Sequence, residues 1–373
     1  MEKLYHITTY GCQLNVHESE KLAGVLEDLG YRETKNQKDA DVIIFNTCAI
    51  REGAENRAFG NIGAIKRLKA KNPNKIVAVC GCMSQQKENA DYIYKTFPYV
   101  DIIFGTNNLH KFKDFLLNRL KEGKRDLQHS EEFGLEGENV PMFRTSGENA
   151  WVNIMQGCNN FCSYCIVPYV RGRERSRPLQ DILKEVEEIA QNPTYKTITL
   201  LGQNVNSYGK ELGSNFVTLL QKVCEVEGDF KVTFMTSHPK DLSSEVIDFI
   251  AKSDKMLKQI HLPVQSGSNK ILKLMNRNYT VEKYLSIINE IKEKIPNCFL
   301  STDIIVGFPQ ETQEDFDATC ELLKNVKYGK VFAFMYSKRR GTPASLMDGQ
   351  VPEVIKNQRV NIVLNLAKEN KAL

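Results

Sequence analysis

The feature that most constrains the fold of this chain is a repeated alternation of short apolar runs with helical patterns. Val42–Phe45 and Ile76–Val79 are continuous apolar runs, which are typical of strands buried on both faces. Between them, apolar residues recur at helical spacing from Ile62 to Leu68. Strands that alternate with helices predict βα units, so residues 1–122 are predicted to form an α/β domain with a doubly wound parallel sheet.

Two helix starts in this first domain are indicated by local signals. Asn15 is predicted to begin the first helix, with Glu18 three residues later as its capping-box partner and Gly30 as its end. A further helix is predicted from about Ser84, directly after the run that ends at Val79.

The same alternation returns in the second half of the chain. Residues 123–148 mix glutamate with glycine and are predicted to be a linker. Residues 149–373 are predicted to form a second domain that ends in a helix from Val351. Six strands with helical crossovers predict an open, partial (βα)6 barrel, whose chemistry collects at the carboxyl ends of its strands. The predicted strands are Trp151–Met155, Thr197–Leu201, Lys231–Met235, Gln259–Leu262, Leu300–Val306 and Lys330–Tyr336.

Composition excludes some classes of protein and makes the cysteines informative. Of the 373 residues, 41% are hydrophobic and 26% charged, which is the balance of an ordinary globular protein, and the net charge is only +4. No apolar run approaches the roughly 20 residues that span a bilayer, and the N-terminus lacks the apolar core of a signal peptide. We therefore expect a cytoplasmic protein with no membrane partner. Ten cysteines in a reducing compartment indicate metal binding or catalysis rather than disulfides.

Three cysteines stand in one short loop, Cys158-Asn-Asn-Phe-Cys162-Ser-Tyr-Cys165, just after the first strand of the predicted barrel. A structural zinc site needs four ligands, usually as two separated pairs. A [4Fe–4S] cluster that receives only three cysteines keeps one iron open for a small molecule. The alternatives are a zinc site completed by a distant residue, or three buried thiols that only pack.

Three further cysteines, Cys12, Cys48 and Cys82, each directly follow a predicted strand of the first domain. In a parallel sheet these strand ends share one edge, so the three could bind a second cluster. Buried packing thiols are an equally good explanation of their spacing. Cys80 is predicted to pack on the opposite face from Cys82. The remaining cysteines are predicted to be core residues: Cys224, Cys298 and Cys320.

The segments around these cysteines carry a family resemblance. Tyr-Gly-Cys-Gln-Leu-Asn around Cys12, Asn-Thr-Cys-Ala-Ile-Arg-Glu around Cys48 and the downstream CxxxCxxC loop resemble the methylthiotransferase family of radical S-adenosylmethionine enzymes, in its MiaB-type tRNA branch. The resemblance extends over essentially the whole chain. It implies a radical S-adenosylmethionine barrel and two [4Fe–4S] clusters, one bound by Cys158, Cys162 and Cys165. The other would be bound by Cys12, Cys48 and Cys82.

The resemblance also implies a reaction. The open iron of the first cluster would chelate S-adenosylmethionine, whose reductive cleavage gives a deoxyadenosyl radical. Sulfur at the second cluster would become a methylthio group on C2 of N6-isopentenyladenosine, beside the anticodon of tRNA. Relatives modify a threonylcarbamoyl adenosine or a ribosomal protein aspartate, and these remain alternative substrates. A zinc-stapled RNA-binding protein is the alternative without catalysis.

Cofactor contacts are expected from the later strand ends. The resemblance points to Gln203 for the methionine amino group, and Ser237, Gln265 and Asp303 stand in the corresponding segments of later strands. Tyr164 within the cysteine loop completes this expected set. Each has an alternative role in a tight turn or a cap. No side chain is assigned an acid–base role, and His238 and His261 are expected to be core or supporting groups.

Four arginines alternate just after the cysteine loop and are expected to contact tRNA. In an extended segment they would share one face and could bind phosphate oxygens, unless they form a solvated or salt-bridged strand: Arg171, Arg173, Arg175 and Arg177. Members of the family usually continue into a small β-barrel RNA-binding domain called TRAM, which is not part of this sequence. The resemblance further implies an external electron donor of the flavodoxin or ferredoxin type, and we expect a monomer.

Overall fold

The computed structural model describes residues 2–50, 52–128, 133–134, 140–145 and 147–369. The chain divides into two compact units. Unit 1 consists of Met1–Gly147 and Val167–Arg177, and unit 2 of Glu148–Ile166 and Pro178–Leu373. Within the described ranges, no helix has the length and apolar character needed to cross a membrane.

Unit 1 contains a six-stranded, fully parallel sheet with the strand order β2-β1-β3-β4-β5-β6. The predicted doubly wound sheet is therefore confirmed. Numbered along the whole chain, its strands are β1 (Lys3–Thr9), β2 (Tyr31–Glu33), β3 (Val42–Thr47), β4 (Ile76–Gly81), β5 (Ile102–Phe104) and β6 (Asp126–Gln128).

Helices cover both faces of this sheet because its central strands are apolar on both sides. Ile44 of β3 packs in the same cluster as Leu22, whereas its neighbour Ile43 packs with Ile62 on the opposite face. The helices of unit 1 are α1 (Gln13–Asp28), α2 (Glu52–Lys71), α3 (Cys82–Gln85), α4 (Lys87–Thr96), α5 (Phe112–Glu122) and α6 (Val167–Arg171), with a 3-10 helix at Thr106–Lys111.

Several predicted boundaries in unit 1 are wrong. Helix α1 begins at Gln13 with Cys12 at its N-cap, and Asn15 and Glu18 are buried rather than capping the helix. Helix α3 begins at Cys82, earlier than the Ser84 start that we predicted. The stretch 123–148 contains strand β6, because the sheet needs an edge strand after α5. Parts of this stretch, 129–132, 135–139 and 146, lie outside the described residues.

Unit 2 contains two three-stranded parallel sheets, β7-β10-β11 and β12-β13-β14. A parallel bridge between Val232 in β11 and Met256, just before β12, connects them. The spatial order therefore follows the chain order, as expected for an open partial barrel. Unit 2 contributes β7 (Asn149–Asn153), β8 (Met155–Gln156), β10 (Thr197–Leu201), β11 (Lys231–Phe234), β12 (Gln259–His261), β13 (Phe299–Val306) and β14 (Lys330–Met335), and β9 (Arg175–Ser176) belongs to unit 1.

All six predicted barrel strands are present, and amphipathic helices separate them. Ile182, Val186 and Ile189 on one face of the first of these helices pack into the core of unit 2. Cys224, Cys298 and Cys320 pack at the edge of this core and are only partly buried. The helices are α7 (Leu179–Ala190), α8 (Phe216–Glu225), α9 (Ser244–Lys252), α10 (Asn269–Leu274), α11 (Val281–Lys294), α12 (Gln313–Val326) and α13 (Glu353–Glu369).

Candidate metal centres

Three cysteines of unit 1 stand at the carboxyl ends of neighbouring strands. Cys12 follows β1, Cys48 follows β3 and Cys82 follows β4. The order β2-β1-β3 places the reversal of strand order between β1 and β3. In open α/β sheets, ligands bind outside the carboxyl ends of the strands at such a reversal. This edge of the sheet therefore combines a topological switch point with three cysteine side chains.

Two glycines bring these strand ends close together. Gly11 precedes Cys12 and has φ +104°, and a Cβ there would lie 2.6 Å from the Cys48 sulfur. Gly81 precedes Cys82 and has φ +96°, and a Cβ there would lie 2.3 Å from the Thr47 carbonyl oxygen. No other residue tolerates both this conformation and this proximity. The two glycines thus allow each cysteine to approach the neighbouring strand end.

The sulfur atoms of this edge lie close enough to influence one another. Burial raises the pKa of Cys82 to about 12. The positive charge of Arg171 lowers this pKa, whereas the charges of Cys48 and Cys12 raise it. The Ile50 backbone N–H donates to the Cys48 sulfur at 3.3 Å. A metal-bound thiolate must be deprotonated, so positive charge has to compensate this burial. Iron and the nearby guanidinium are the groups that fit this requirement.

Arg171 is the buried cation of this edge. Its side chain is 1% exposed, and its Nη1 donates to Glu18 Oε1 at 2.6 Å. Its Nη2 reaches Glu18 Oε2 at 3.2 Å and Asn15 Oδ1 at 3.3 Å, while Asn15 Nδ2 donates to the Thr47 carbonyl oxygen at 2.8 Å. The ion pair therefore joins the end of α6 to the first turns of α1, and Asn15 joins those turns to the end of β3.

The prediction that four alternating arginines share one face that could bind phosphate is wrong. Arg171 ends helix α6 and is buried, because it pairs with Glu18, and Arg177 is also buried. Arg175 is half-buried, with its guanidinium over the Phe133 ring and its Nη1 donating to the Arg173 carbonyl oxygen at 2.7 Å. Arg173 alone of the four is exposed.

Cys80 packs as predicted. It is 2% exposed within the core cluster that contains Leu22 and Phe104, and burial raises the pKa of its thiol. None of the ten cysteines, all of which lie within the described ranges, forms a disulfide. Among the described residues, no three His, Cys, Asp or Glu side chains converge as a single metal ion would require.

The cysteine loop of unit 2 rests on the end of α10 and the residues that follow it. Ser163 donates from its backbone N–H to the Met275 carbonyl oxygen at 3.0 Å and from its hydroxyl to the Leu274 carbonyl oxygen at 2.7 Å. Asn276 donates to the carbonyl oxygens of Asn160 at 3.2 Å and Phe161 at 2.9 Å. Phe161 has φ +47°, which is uncommon for a bulky residue. These bonds hold the loop in a single strained conformation.

Two polar side chains contact the sulfur atoms of this loop. Arg277 Nη1 donates to the Cys162 sulfur at 3.5 Å, and Asn160 Nδ2 donates to the Cys158 sulfur at 3.6 Å. Lys240 Nζ donates to Asn160 Oδ1 at 2.7 Å and so fixes that amide. Hydrogen bonds to ligand sulfurs are one of the means by which proteins tune iron–sulfur clusters. The surroundings of the loop fit a cluster in this respect.

Buried polar atoms without partners collect at the next strand ends of unit 2. Gln203 Oε1 follows β10, Ser237 Oγ follows β11 and Gln265 Oε1 follows β12, and each lacks a hydrogen bond. Gln265 has φ +71° and Thr236 has φ +73°, so the backbone at two of these ends is in the left-handed region. Buried polar groups are normally paired, and strain collects at binding sites. The strand ends therefore fit a polar ligand such as S-adenosylmethionine.

Asp303 and Tyr164 have different surroundings from these three residues. Asp303 lies within β13, and its Oδ2 is 3.5 Å from His261 Nε2, whose other ring nitrogen is 2.9 Å from the Ser301 hydroxyl. Tyr164 is half-buried against Ile271, and burial raises the pKa of its phenol. The expected supporting role of His261 agrees with these contacts.

His238 is buried beside the same strand ends. Its Nδ1 accepts from the Lys240 backbone N–H at 3.2 Å. Burial, followed by the positive charges of Arg277 and Lys240, lowers its pKa to about 2. The imidazole is therefore neutral, so it cannot be a cation that binds a carboxylate.

The polar residues that surround the cysteine sulfurs are not among the site residues predicted from the sequence. Asn276 stands in the left-handed region with φ +56° just after α10, and an asparagine at a helix end is a readable signal for that conformation. Arg277 and the pairing of Arg171 with Glu18 have no comparable signal, since both depend on contacts between distant parts of a unit.

Two family descriptions match the chain. Residues 152–323 match the Radical SAM superfamily, and residues 4–105 match an uncharacterized protein family, UPF0004. Each match falls largely within one of the two units. The Clostridium perfringens protein named tRNA-2-methylthio-N(6)-dimethylallyladenosine synthase is 56% identical over 364 residues, covering 96% of this chain and 81% of the relative. A protein of the same name from Caldicellulosiruptor saccharolyticus is 53% identical over 369 residues, covering 98% and 78%.

Solved structures with low sequence identity share the fold. The radical S-adenosylmethionine methyltransferase TsrM from Kitasatospora setae, with cobalamin and a [4Fe–4S] cluster bound, superposes with a TM-score of 0.65 at 13% identity. That match covers 93% of this chain and 77% of TsrM. The cobalamin-dependent S-adenosylmethionine radical enzyme OxsB superposes with a TM-score of 0.60 at 13% identity, and the match covers 99% of this chain and 56% of OxsB. These likenesses extend to the fold alone.

Proposed function

Because the chain belongs to the tRNA-2-methylthio-N(6)-dimethylallyladenosine synthase family, we propose that it methylthiolates C2 of N6-isopentenyladenosine beside the anticodon of tRNA. The single observation that supports this most strongly is that each unit carries a set of three cysteines at strand ends or in one loop. A barrel with one such site would generate a radical and leave the sulfur donor unexplained. Cys12, Cys48 and Cys82 at the edge of the first sheet supply the second site.

Each set of cysteines is proposed to hold one [4Fe–4S] cluster. Cys158, Cys162 and Cys165 form one set, and three ligands for four irons leave one iron open. When bound, the two clusters supply the electron for cleavage of S-adenosylmethionine and the site of the transferred sulfur. The protein positions the ligands: Gly11 and Gly81 permit the close strand ends of unit 1, and Asn276 fixes the loop of unit 2.

The unpaired polar atoms of unit 2 are proposed to bind S-adenosylmethionine. Gln203 Oε1 and Gln265 Oε1 can accept from its amino group or ribose hydroxyls, and the Ser237 hydroxyl can donate to its carboxylate. Asp303 and Tyr164 are proposed as further contacts. A ligand that satisfies these atoms removes the cost of leaving them buried without partners.

Contact with tRNA is proposed for the exposed Arg173 and the half-buried Arg175. Arg171 and Arg177 are not proposed to bind phosphate, since both are buried. The electron is proposed to come from a donor of the flavodoxin or ferredoxin type. We further propose that the protein acts as a monomer in the cytoplasm.

Mass spectrometry of tRNA nucleosides tests this function. A strain that lacks the gene is complemented with the wild-type chain, with Cys82→Ala or with Cys320→Ala. We expect methylthio-isopentenyladenosine to be absent from the deletion strain and from the Cys82→Ala strain. Wild type and Cys320→Ala should restore it, because Cys320 packs only at the core edge.

Two outcomes would contradict the proposed substrate. Unchanged methylthio-isopentenyladenosine in the deletion strain would exclude this activity. Loss of a methylthiolated threonylcarbamoyl adenosine, or of a modified ribosomal protein aspartate, would assign the enzyme to one of the other branches of the family.

A further inference from the structure

Arg277 is a buried arginine whose donors have fixed partners. Its side chain is 7% exposed, and its Nη1 donates to the Cys162 sulfur at 3.5 Å. Its Nε donates to the Tyr279 hydroxyl at 2.9 Å, and its Nη2 donates to the Pro263 carbonyl oxygen at 2.9 Å. The guanidinium is therefore held in one orientation with one edge toward a candidate cluster ligand.

The charge of Arg277 has no carboxylate partner in the part of the chain that the structure describes. Two other buried arginines differ in this respect, since Arg171 pairs with Glu18 and Arg359 pairs with Glu311, each at 2.6 Å. Tyr279 adds no negative charge, because burial raises its pKa and its hydroxyl donates to the Val264 carbonyl oxygen at 2.8 Å. A buried charge without an opposite charge is costly. An anionic group beside Cys162 would balance it.

We propose that Arg277 raises the reduction potential of the cluster held by Cys158, Cys162 and Cys165, and that it does so through its charge and its N–H donor to sulfur. The proposal rests on the proposed function, because it needs the cluster at these cysteines. Reduction adds one electron to the cluster, and an external one-electron donor loses it. A nearby positive charge and a hydrogen bond to sulfur both favour the more negative, reduced form.

The proposal assigns Arg277 a positioning and tuning role rather than a catalytic one. The side chain reaches Cys162, and no contact with substrate is required of it. Its effect should therefore be seen in the potential of the cluster before S-adenosylmethionine is added. A purely structural role would change folding and cluster content without moving that potential.

A redox titration followed by EPR tests the proposal on the full, anaerobically reconstituted chain. Three variants are compared. Arg277→Met removes both the charge and the N–H donor, and Arg277→Gln keeps a neutral donor. Arg277→Lys keeps the charge. Each is also made with Cys12→Ala, so that only the unit 2 cluster contributes. Arg359→Met is the matched control, a buried arginine that pairs with Glu311 and lies over the Phe316 ring rather than beside a candidate cluster ligand.

We expect Arg277→Met to lower the reduction equilibrium constant at least tenfold, which is about 59 mV for one electron. The reduction potential of Arg277→Lys should be closer to that of wild type than to that of Arg277→Met, and the potential of Arg277→Gln should lie between those of the Lys and Met variants. Arg359→Met should not change the potential. If Arg277→Met does not fold or bind iron, the Gln and Lys variants decide the question in the same way.

An intact cluster with an unchanged potential in the Met and Gln variants would overturn the proposal and leave the proposed function standing. A wild-type chain that holds no reducible cluster at all would instead contradict the proposed function, so the two failures are distinguishable.

Discussion

The two candidate metal centres reach a similar set of ligands by different routes. In unit 2, a single loop supplies Cys158, Cys162 and Cys165. In unit 1, the three sulfurs come from three strand ends far apart in sequence. The loop depends on local hydrogen bonds to the segment after α10, whereas the strand ends depend on the register of the whole sheet. A local motif is readable in a sequence, while a site assembled by a sheet becomes visible only with the topology.

The electrostatic surroundings differ as well. Arg171, a buried cation of unit 1, is neutralised by Glu18, whereas Arg277 of unit 2 meets a sulfur, a phenol and a carbonyl oxygen. The first arrangement resembles a structural ion pair that positions α1. The second leaves positive charge for an electron-accepting group.

The largest effect is expected from removing one ligand on each side. Cys12→Ala should abolish methylthio transfer but retain reductive cleavage of S-adenosylmethionine to deoxyadenosine, because the loop of unit 2 is intact. Cys165→Ala should abolish both reactions. Chromatography of deoxyadenosine and mass spectrometry of tRNA nucleosides measure the two activities separately. Equal loss of cleavage in both variants would show that the two sites are not separate in function.

Removing the charge of Arg171 should lower the free energy of unfolding by several kcal/mol. Arg171→Met leaves Glu18 buried without its partner, so we expect the free energy of unfolding of the metal-free protein to fall by about 3–5 kcal/mol. The double variant Arg171→Met with Glu18→Gln should lose less, since no uncompensated charge remains. Urea unfolding measures both.

The exposed pair Lys87–Asp91 is the matched control for Arg171, and Lys87→Met should change the free energy of unfolding by less than about 1 kcal/mol. A double Arg171→Met, Glu18→Gln variant as unstable as the single variant would contradict the ion-pair explanation.

The loop of unit 2 should depend on Asn276. Asn276→Ala removes two hydrogen bonds to the cysteine loop and strains a left-handed residue, so a loss of about 2–3 kcal/mol is expected. Asn297→Ala is the control, because Asn297 has φ +63° but is exposed and lies outside the loop contacts, and it should cost about 1 kcal/mol. Thermal unfolding and iron content after reconstitution measure the difference. Equal losses would show that the loop bonds contribute nothing.

The smallest effect is a pH dependence in unit 2. Burial lowers the pKa of His238 to about 2, below the roughly 6.5 of an unfolded histidine. Below pH ~6.5 the unfolded chain therefore binds a proton that the folded chain does not. As the pH is lowered further, the free energy of unfolding falls by up to about 1.4 kcal/mol per pH unit. His238→Asn should remove this contribution. Urea unfolding between pH 8 and 5 tests it, and parallel curves for wild type and variant below pH 6 would contradict it.

The fold could be predicted from the sequence largely because buried parallel strands leave continuous apolar runs. Val42–Phe45 is recognisable in this way, whereas the six barrel strands are recognisable from their alternation with helical patterns. The capping-box interpretation of Asn15 and Glu18 was wrong, since their side chains serve a buried ion pair. The stripe of arginines was wrong for a related reason: α6 ends at Arg171 and turns it inward.

The cysteines show that a site made of residues distant in sequence is harder to predict than a local motif. The spacing of the Cys158 loop and its place after a strand favour a cluster over a zinc site or packing thiols. Cys12 needed both the resemblance and the sheet order, because its neighbours in space are distant in sequence. Arg277 could not be predicted at all, since a buried arginine looks like a surface arginine until its unit has folded.

One chain is proposed to hold two clusters, each on three cysteines. Iron, sulfide and zinc analysis with Mössbauer spectroscopy of the anaerobically reconstituted protein tests it most directly. We expect about eight irons per chain in wild type and about four in each of Cys12→Ala and Cys165→Ala. About four irons in wild type, or zinc in place of iron, would contradict it.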